Sequence, residues 1–186
     1  MKVGVLGLQG DFREHLHVLK RLNVEARDVR TVEDLKIVDA LILPGGESTT
    51  IARLMTQSGI DQAIQERHRN GMPLYGTCAG MILLAKEVVE SKPQGLGLID
   101  ITVSRNAYGR QIDSFEADLH IKNMGALHAV FIRAPKITKC GSSVEVLAEH
   151  EGALVLARQG RVLVSSFHPE LTGDTRIHEY FLRMVE

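Results

Sequence analysis

The stretch Pro73-Leu74-Tyr75-Gly76-Thr77-Cys78-Ala79-Gly80-Met81 decides the fold of this chain. Pro73–Tyr75 has the pattern of a short buried strand, and Met81–Val89 has that of a helix. Gly76–Gly80 joins them and reads G-x-C-x-G, the arrangement of a nucleophile elbow. The tight turn lifts the central side chain clear of the sheet, and the flanking glycines let neighbouring backbone approach closely. This strand–turn–helix unit predicts an α/β fold that presents Cys78 at one edge of a sheet.

The residues before the elbow alternate between strand and helix patterns. The predicted strands are short and apolar, as in a parallel sheet that helices cover on both faces. Thr31–Asp34 resembles a capping box with Asp in place of the usual Glu, and Asp11 is a candidate N-cap. We predict strands at Lys2–Leu8, Val24–Val29 and Ala40–Leu43, and helices at Phe12–Leu22, after Thr31, at Ser48–Thr56 and at Asp61–Arg69.

The residues after Met81–Val89 have mainly strand patterns, and Gln159-Gly160 predicts a hairpin turn. The predicted strands are Ile101–Ser104, Phe115–Ile121, Ala129–Arg133, Val144–Glu149, Ala153–Arg158 and Arg161–Phe167, followed by a helix from about Asp174 with Ile177, Phe181 and Met184 on one face. The fold class is therefore α/β. We predict a single three-layer domain over residues 1–186, with a mostly parallel central sheet, helices on both faces and antiparallel additions at the sheet edge.

The composition excludes several classes of function. The chain has 186 residues with 22 Lys+Arg against 23 Asp+Glu, so its charge offers no attraction to nucleic acid or to an anionic membrane. Aromatic residues make up only 4% and Trp is absent, which argues against a base-stacking surface. The longest apolar runs, Met81–Ala85 and Ala153–Ala157, are too short to span a membrane. Cys78 and Cys140 form neither a disulfide framework nor a metal knuckle, and we expect a cytoplasmic protein. We predict that Cys140 lies in a polar loop.

Cys78 is the candidate nucleophile. At the start of a helix, unpaired backbone N–H groups favour a thiolate, and the N–H of Ala79 can point at a developing oxyanion. The competing interpretation is a buried structural cysteine in a glycine-rich turn, which is equally compatible with this short pattern.

His168 is the candidate base among eight histidines. It precedes Pro169 and therefore favours extended backbone, in which positions two apart point the same way. Glu170 can then accept from His168 Nδ1–H and leave Nε2 facing the nucleophile. Alone, His-Pro-Glu would more often be a polar turn; paired with an elbow cysteine, the catalytic interpretation is favoured. By contrast, we interpret the His15/His17 pair as a solvated helix feature, and find nothing distinctive about His178.

The run Leu41–Ser48 supplies a third element. A buried strand that ends in Pro44-Gly45-Gly46 brings bare backbone to the carboxyl edge of the sheet, where ligands bind in open α/β folds. Its N–H groups could complete an oxyanion hole with that of Ala79, although a simple strand-to-helix turn would look the same. No dinucleotide or P-loop glycine motif occurs, and no cluster has metal-ligand spacing. We therefore expect no cofactor and no metal.

Together, the elbow cysteine, the His-Pro-Glu run and the Pro-Gly-Gly turn resemble the class I, or triad, glutamine amidotransferases. The similarity extends to one family in that class, the glutaminase subunits of pyridoxal 5′-phosphate synthase. The matching blocks run from residue 4 to residue 172 in the family's order and show no departure at a triad position. They are Gly4–His15, Pro44–Thr50, Gly76–Met81, Arg105-Asn106 with Gly109–Gln111, Asp113–Glu116, Phe131–Pro135 and Ser166–Thr172.

The resemblance implies hydrolysis of glutamine to glutamate and ammonia. Cys78 would attack the side-chain amide, His168 would shuttle the proton to the leaving ammonia, and Glu170 would orient His168. Water would then hydrolyse a γ-glutamyl thioester. The oxyanion donors would be the backbone of Gly46 and Ala79. The resemblance places glutamine binding at Gly46, Glu47, Ser48, Arg105, Ile132 and Arg133, and either arginine could hold the substrate α-carboxylate.

The resemblance also implies a partner. The chain is too short to include an enzyme that uses the ammonia, and the family docks with a separate pyridoxal 5′-phosphate synthase subunit in a large heteromeric complex. In the family the Gln9-Gly10 region faces the synthase and is linked to ordering of the oxyanion site. We therefore expect low glutaminase activity for the isolated chain and higher activity with the partner.

Three alternatives stay open on the sequence. One is the glutaminase subunit of another amidotransferase, such as imidazole glycerol phosphate synthase. A second is a different α/β cysteine hydrolase, similar to dienelactone hydrolases or to proteases, which would have no reason to match the Arg105 and Arg133 blocks. The third is a catalytically silent subunit that only binds and regulates a synthase.

Overall fold

The computed structural model describes residues 1–90, 92–105 and 114–185. The strands are β1 Lys2–Leu6, β2 Glu25–Val29, β3 Ala40–Leu43, β4 Leu74–Thr77, β5 Ala85–Val88, β6 Ile99–Ser104, β7 Ser114–Ile121, β8 Gly125–Ile132, β9 Lys136–Cys140, β10 Glu145–His150, β11 Ala153–Gln159 and β12 Val162–Ser165. The helices are α1 Phe12–Arg21, α2 Val32–Lys36, α3 Ser48–Ser58, α4 Ile60–Arg69, α5 Ala79–Leu84 and α6 Arg176–Arg183, with a 3₁₀ turn at Pro169–Leu171.

A ten-stranded sheet forms the centre of the molecule, and β7 and β8 form a separate antiparallel pair. Along the large sheet the order is β2-β1-β3-β4-β12-β11-β9-β6-β5, and β10 pairs with β11. The first five strands in this order are parallel, and β11 and β9 add antiparallel pairings. The expected α/β fold, with a mostly parallel sheet and antiparallel additions, is confirmed. The carboxyl ends of β3, β4 and β12 meet at one edge, which is where the elbow lies.

Two buried clusters cover the two faces of this sheet, because successive side chains of a strand point to opposite faces. In β3, Leu41 and Leu43 belong to one cluster, while Ala40 and Ile42 belong to the other. Helices α3 and α4 pack on the first face, and α1 and α6 pack on the second. No helix in the described part of the chain is long and apolar enough to cross a membrane.

Two local predictions are wrong. The helix predicted over Met81–Val89 ends at Leu84, and Ala85–Val88 forms β5, which pairs in parallel with β6. Cys140, predicted in a polar loop, is the last residue of β9 and pairs with Ile101. In both segments the backbone hydrogen bonds come from strands distant in sequence, so the local hydrophobic pattern does not reveal them.

Candidate active site

The elbow places Cys78 directly between β4 and α5. Its backbone has φ 48° and ψ −103°, a conformation that is costly for a residue with a side chain and concentrates at functional sites. The N–H of Cys78 donates to the carbonyl of Ser165, at 2.8 Å, which anchors the turn to β12. A Cβ at Gly80 would overlap the carbonyl oxygen of Leu43, and one at Gly76 would lie 2.6 Å from the backbone of Gly80. The two glycines therefore permit the close packing of α5 on β3 and β4.

His168 and Glu170 form a buried pair beside the elbow. His168 Nδ1 lies 2.7 Å from Glu170 Oε1, and the two residues are 3% and 6% exposed. The backbone at His168 (φ −110°, ψ 85°) lies outside the extended region that the following proline predicted, and the 3₁₀ turn after it brings Glu170 to the ring. The backbone N–H of His168 donates to Val130, at 2.8 Å, which ties the pair to β8.

The electrostatics of the pair favour a protonated imidazole. Burial lowers the pKa of His168, but the side chains of Cys78 and Glu170 outweigh burial and raise it to about 10. Burial raises the pKa of Glu170, and contact with His168 lowers it only in part. Cys78 raises the pKa of His168 chiefly as a hydrogen-bond partner of the ring and then by charge. In the described part of the chain no group meets His168 Nε2 at full hydrogen-bond geometry. An imidazolium beside a thiol is the arrangement in which cysteine nucleophiles act.

Cys78 and His168 line a cavity of about 400 Å³. Its described lining holds Asp11, Gly46, Glu47, Ser48, Cys78, Ala79, Ile82, Arg105, Ile132, Arg133 and His168. Glu170 lies behind His168. The structure thus brings every candidate site residue of the sequence to one place. The residues 106–113 that took part in the sequence resemblance lie outside the described residues.

Arg105 and Glu47 both line this cavity and contact each other. Arg105 Nη2 lies 3.4 Å from Glu47 Oε1, and Nη1 donates to the carbonyl of Lys92 at 2.8 Å. Glu47 is the N-cap of α3 and accepts from the N–H groups of Thr49 and Thr50. Arg133 is also in the lining and has a positive φ of 44°, and the carbonyl of Ile132 lies 3.7 Å from Cys78 Sγ. The lining therefore offers guanidinium groups and backbone polar groups in the same cavity as Cys78.

The Gln9–Asp11 loop is bonded to the Pro-Gly-Gly turn. Asp11 N–H donates to the carbonyl of Gly45 at 3.0 Å, and Glu47 N–H donates to Gln9 Oε1 at 2.8 Å. Gly46 has φ 152°, a conformation that glycine adopts readily because it has no Cβ, and a Cβ here would lie 2.6 Å from Gln9 Oε1. These two bonds are made by the residues on either side of Gly46, so a movement of the loop can alter the position of this candidate oxyanion donor.

The geometry agrees with comparisons to known proteins. A model of SNO glutamine amidotransferases matches residues 5–186. The chain belongs to this family. A protein of Thermosipho africanus called pyridoxal 5′-phosphate synthase subunit PdxT is 54% identical over 187 residues, with 100% of both chains covered. The protein of the same name from Thermus thermophilus is 54% identical over 185 residues, covering 98% of this chain and 97% of its own.

Solved structures show the same fold. The crystal structure of a glutamine amidotransferase superimposes with a TM-score of 0.95 at 54% identity and covers 98% of each chain. PurLQS from Thermotoga maritima, at 16% identity and a TM-score of 0.73, covers 100% of this chain and 99% of that one. At that identity the likeness concerns the fold alone.

Sequence reasoning missed several polar residues of this SNO-family site. His15, interpreted as solvated, is fully buried, and so is His178. Asp11 is at the N-cap of α1 but makes no side-chain cap bond; its Oδ2 lies 3.7 Å from His168 Nδ1. The available signal was helical spacing: His15 falls between Phe12 and Leu19 on the apolar face of α1.

The side chains of Asp11, His168 and Glu170 are close enough to hold a metal ion, with ligand atoms within 4.8 Å of one another. Glu170 Oε1 and His168 Nδ1 are, however, already engaged with each other at 2.7 Å. A metal at this position would displace that bond. The donor set therefore fits an oriented histidine better than a metal centre.

Proposed function

We propose that this chain hydrolyses L-glutamine to L-glutamate and ammonia and delivers the ammonia to the synthase subunit of pyridoxal 5′-phosphate synthase. The observation that carries the proposal is the alignment of Cys78, His168 and Glu170 at a cavity lined by two arginines. The match to PdxT chains over their full length supports the choice of partner. Free Cys78 and Cys140 are in keeping with the cytoplasm, and we treat residues 1–186 as one domain.

The reaction begins with attack of the Cys78 thiolate on the side-chain amide carbon of glutamine. The carbonyl electrons move to oxygen, which the backbone N–H groups of Gly46 and Ala79 would stabilise. His168 gives its Nε2 proton to the amide nitrogen, the C–N bond breaks, and ammonia leaves. Neutral His168 then takes a proton from water, whose hydroxide attacks the γ-glutamyl thioester. Glutamate leaves and the Cys78 thiolate returns.

Glu170 holds His168 throughout this cycle. Its carboxylate accepts from Nδ1–H, so Nε2 faces the reacting atoms, and its negative charge stabilises the imidazolium. Substrate binding is assigned to Gly46, Glu47, Ser48, Arg105, Ile132 and Arg133. A guanidinium of Arg105 or Arg133 suits the α-carboxylate of glutamine, because two N–H groups of the fork match its two oxygens.

The test is covalent labelling of Cys78 with a glutamine-analogue electrophile, followed by mass spectrometry. The proposal expects one label at Cys78, protection by glutamine, and loss of ammonia release in Cys78→Ala. Cys140→Ala is the matched control and should keep both properties. Labelling that glutamine does not prevent would favour a different α/β cysteine hydrolase. Ammonia release that survives Cys78→Ala would contradict the triad, and a chain without turnover in any complex would be a silent binding subunit.

The partner is tested separately. Co-purification with the pyridoxal 5′-phosphate synthase subunit, and glutamine turnover before and after mixing, would support the assignment. Binding to the synthase subunit of imidazole glycerol phosphate synthase instead would show that this chain is the glutaminase subunit of that other amidotransferase.

A further inference from the structure

A group of buried polar side chains lies behind the triad and takes no part in the steps above. His15 Nδ1 is 2.9 Å from His178 Nε2, and His15 Nε2 is 3.1 Å from Thr77 Oγ1. We call His178, His15 and Thr77 the buried polar chain. Its members come from α6, α1 and the end of β4, and none has exposed surface. The large majority of buried side-chain polar atoms in proteins have a hydrogen-bond partner, so these contacts call for an explanation.

The buried polar chain reaches the triad at Glu170. His15 Nε2 lies 3.5 Å from Glu170 Oε1, the same oxygen that contacts His168 Nδ1. Thr77 is the residue before Cys78. His15 therefore contacts both Glu170, which orients the base, and Thr77, which belongs to the turn that presents the nucleophile.

Burial determines the protonation states of His15 and His178 and the ring nitrogen that carries each hydrogen. Burial, and then His178 and His168, lower the pKa of His15 well below its usual value, and burial lowers that of His178 to about 4. Both rings are thus neutral near pH 7, with one N–H each. His178 Nδ1 is buried and has no partner in the described part of the chain. A hydrogen on that atom would leave a buried donor without an acceptor, which costs more than a bare lone pair.

The hydrogen of His178 accordingly sits on Nε2 and is donated to His15 Nδ1. This leaves the hydrogen of His15 on Nε2, directed at Thr77 Oγ1 and Glu170 Oε1. The charged or titratable groups near that point are Glu170, His168, Asp11, His178 and Tyr75. Asp11 acts on Glu170 as a like charge, and the Tyr75 ring packs edge-on against His15. A donor at His15 Nε2 therefore favours the carboxylate form of Glu170.

We propose that His15 is a positioning residue for the glutaminase reaction. Its Nε2–H holds the Glu170 carboxylate and the Thr77 hydroxyl in place, and His178 selects the tautomer that presents this hydrogen. The inference deepens the proposed function and rests on it.

The deciding experiment compares His15→Gln with His15→Asn. Both are neutral amides, but the Gln N–H falls near the Nε2 position of the ring, whereas the Asn N–H falls near Nδ1. Glutamine turnover is measured in the complex with the synthase subunit, as kcat, KM and the pH profile of kcat/KM. Thermal melting checks that each variant folds, and exposed His17→Gln on the same helix is the control.

His15→Asn should lose on the order of 10- to 100-fold in kcat, as when a group supporting a site residue is removed, with little change in KM. The low-pH side of its kcat/KM profile, which we call the acid limb, should move up by about one pH unit. The reason is that Glu170 loses a hydrogen-bond donor that stabilises its carboxylate, so the pKa of Glu170 rises. His15→Gln should retain kcat within about threefold and leave the acid limb in place. Equal kcat and equal pH profiles for the two variants would overturn the proposal.

A second pair tests the tautomer. His178→Gln keeps a donor for His15 Nδ1, whereas His178→Phe removes it at similar volume. Only His178→Phe should reproduce the acid-limb shift, and a shift in neither variant or in both would contradict the role given to His178. Absence of turnover in the unmodified complex would instead count against the proposed function itself, so the two failures are distinguishable.

Discussion

At the scale of single residues, the site depends on groups that are unfavourable by themselves. Cys78 has a strained backbone, and Glu170 is a carboxylate with almost no access to water. Each is held by neighbours: Ser165 anchors the Cys78 N–H, and His168 contacts Glu170 at 2.7 Å. Removing one partner should therefore cost more than an ordinary surface change.

Glu170→Gln tests the orienting carboxylate. A neutral amide can neither stabilise the imidazolium nor enforce the Nδ1–H tautomer, so kcat should fall on the order of 10²- to 10⁴-fold, as in other triads. The measurement is ammonia release in the presence of the synthase subunit. Exposed Glu33→Gln is the control and should behave as the unmodified chain. A kcat within a few-fold of the original would argue that Glu170 is not a triad member.

His178→Gln also tests the effect of burial on stability. Burial lowers the pKa of His178 to about 4, so between pH 6.5 and 4 the unfolded chain binds a proton that the folded chain does not. The free energy of unfolding should therefore fall as pH falls through this window, by on the order of 3 kcal/mol for this group. Urea unfolding across the window should show a smaller fall in His178→Gln. His17→Gln should follow the unmodified chain; identical slopes for all three would refute the assignment.

At the scale of elements, the elbow works because α5 lies against β3 and β4. Local patterns predicted the strand and the turn but extended the helix to Val89, since a run of apolar residues suits a buried helix and a buried strand alike. The chain leaves the helix at Leu84 because β6 offers hydrogen bonds to Ala85–Val88. By contrast, the capping box at Thr31 is confirmed, with Asp34 N–H to Thr31 Oγ1 at 3.1 Å, because capping depends on adjacent residues only.

Gly80→Ala tests this packing. Its Cβ would overlap the Leu43 carbonyl, so α5 must move away from β3 and carry the Ala79 N–H with it. We expect a loss of about 1–3 kcal/mol in the free energy of unfolding together with loss of glutamine turnover. Gly173→Ala, where a Cβ meets nothing within 4 Å, is the control and should change stability by less than about 0.5 kcal/mol. Normal melting and turnover in Gly80→Ala would show that α5 has room to adjust.

At the scale of the whole molecule, one sheet edge collects groups from distant parts of the chain. Gln9 follows β1, Gly46 follows β3, Cys78 follows β4 and His168 follows β12. The loop at Gln9 is bonded to the candidate oxyanion turn, so a partner that contacts this loop can alter the turn without touching the triad.

Gln9→Met tests this coupling. It removes the acceptor for Glu47 N–H while keeping the length of the side chain. The isolated chain should have low glutaminase activity, the synthase subunit should raise it, and in Gln9→Met this stimulation should fall roughly five- to tenfold, the effect of losing one hydrogen bond. Glutamine turnover with and without the synthase subunit measures the ratio. Gln62→Met, on exposed α4 surface, should keep the full stimulation; equal ratios for both variants would exclude the coupling.

The sequence by itself determined the alternation of strands and helices, the elbow at Cys78 and the His168–Glu170 pair, because each depends on residues adjacent in the chain. It also indicated the family through ordered blocks. Only the tertiary structure decided that His15 and His178 lie behind Glu170, that β5 and β9 are strands, and that Asp11 faces the site instead of capping its helix. These features depend on contacts between residues far apart in sequence, and burial in such contacts settles the role of a polar side chain whose local pattern is ambiguous.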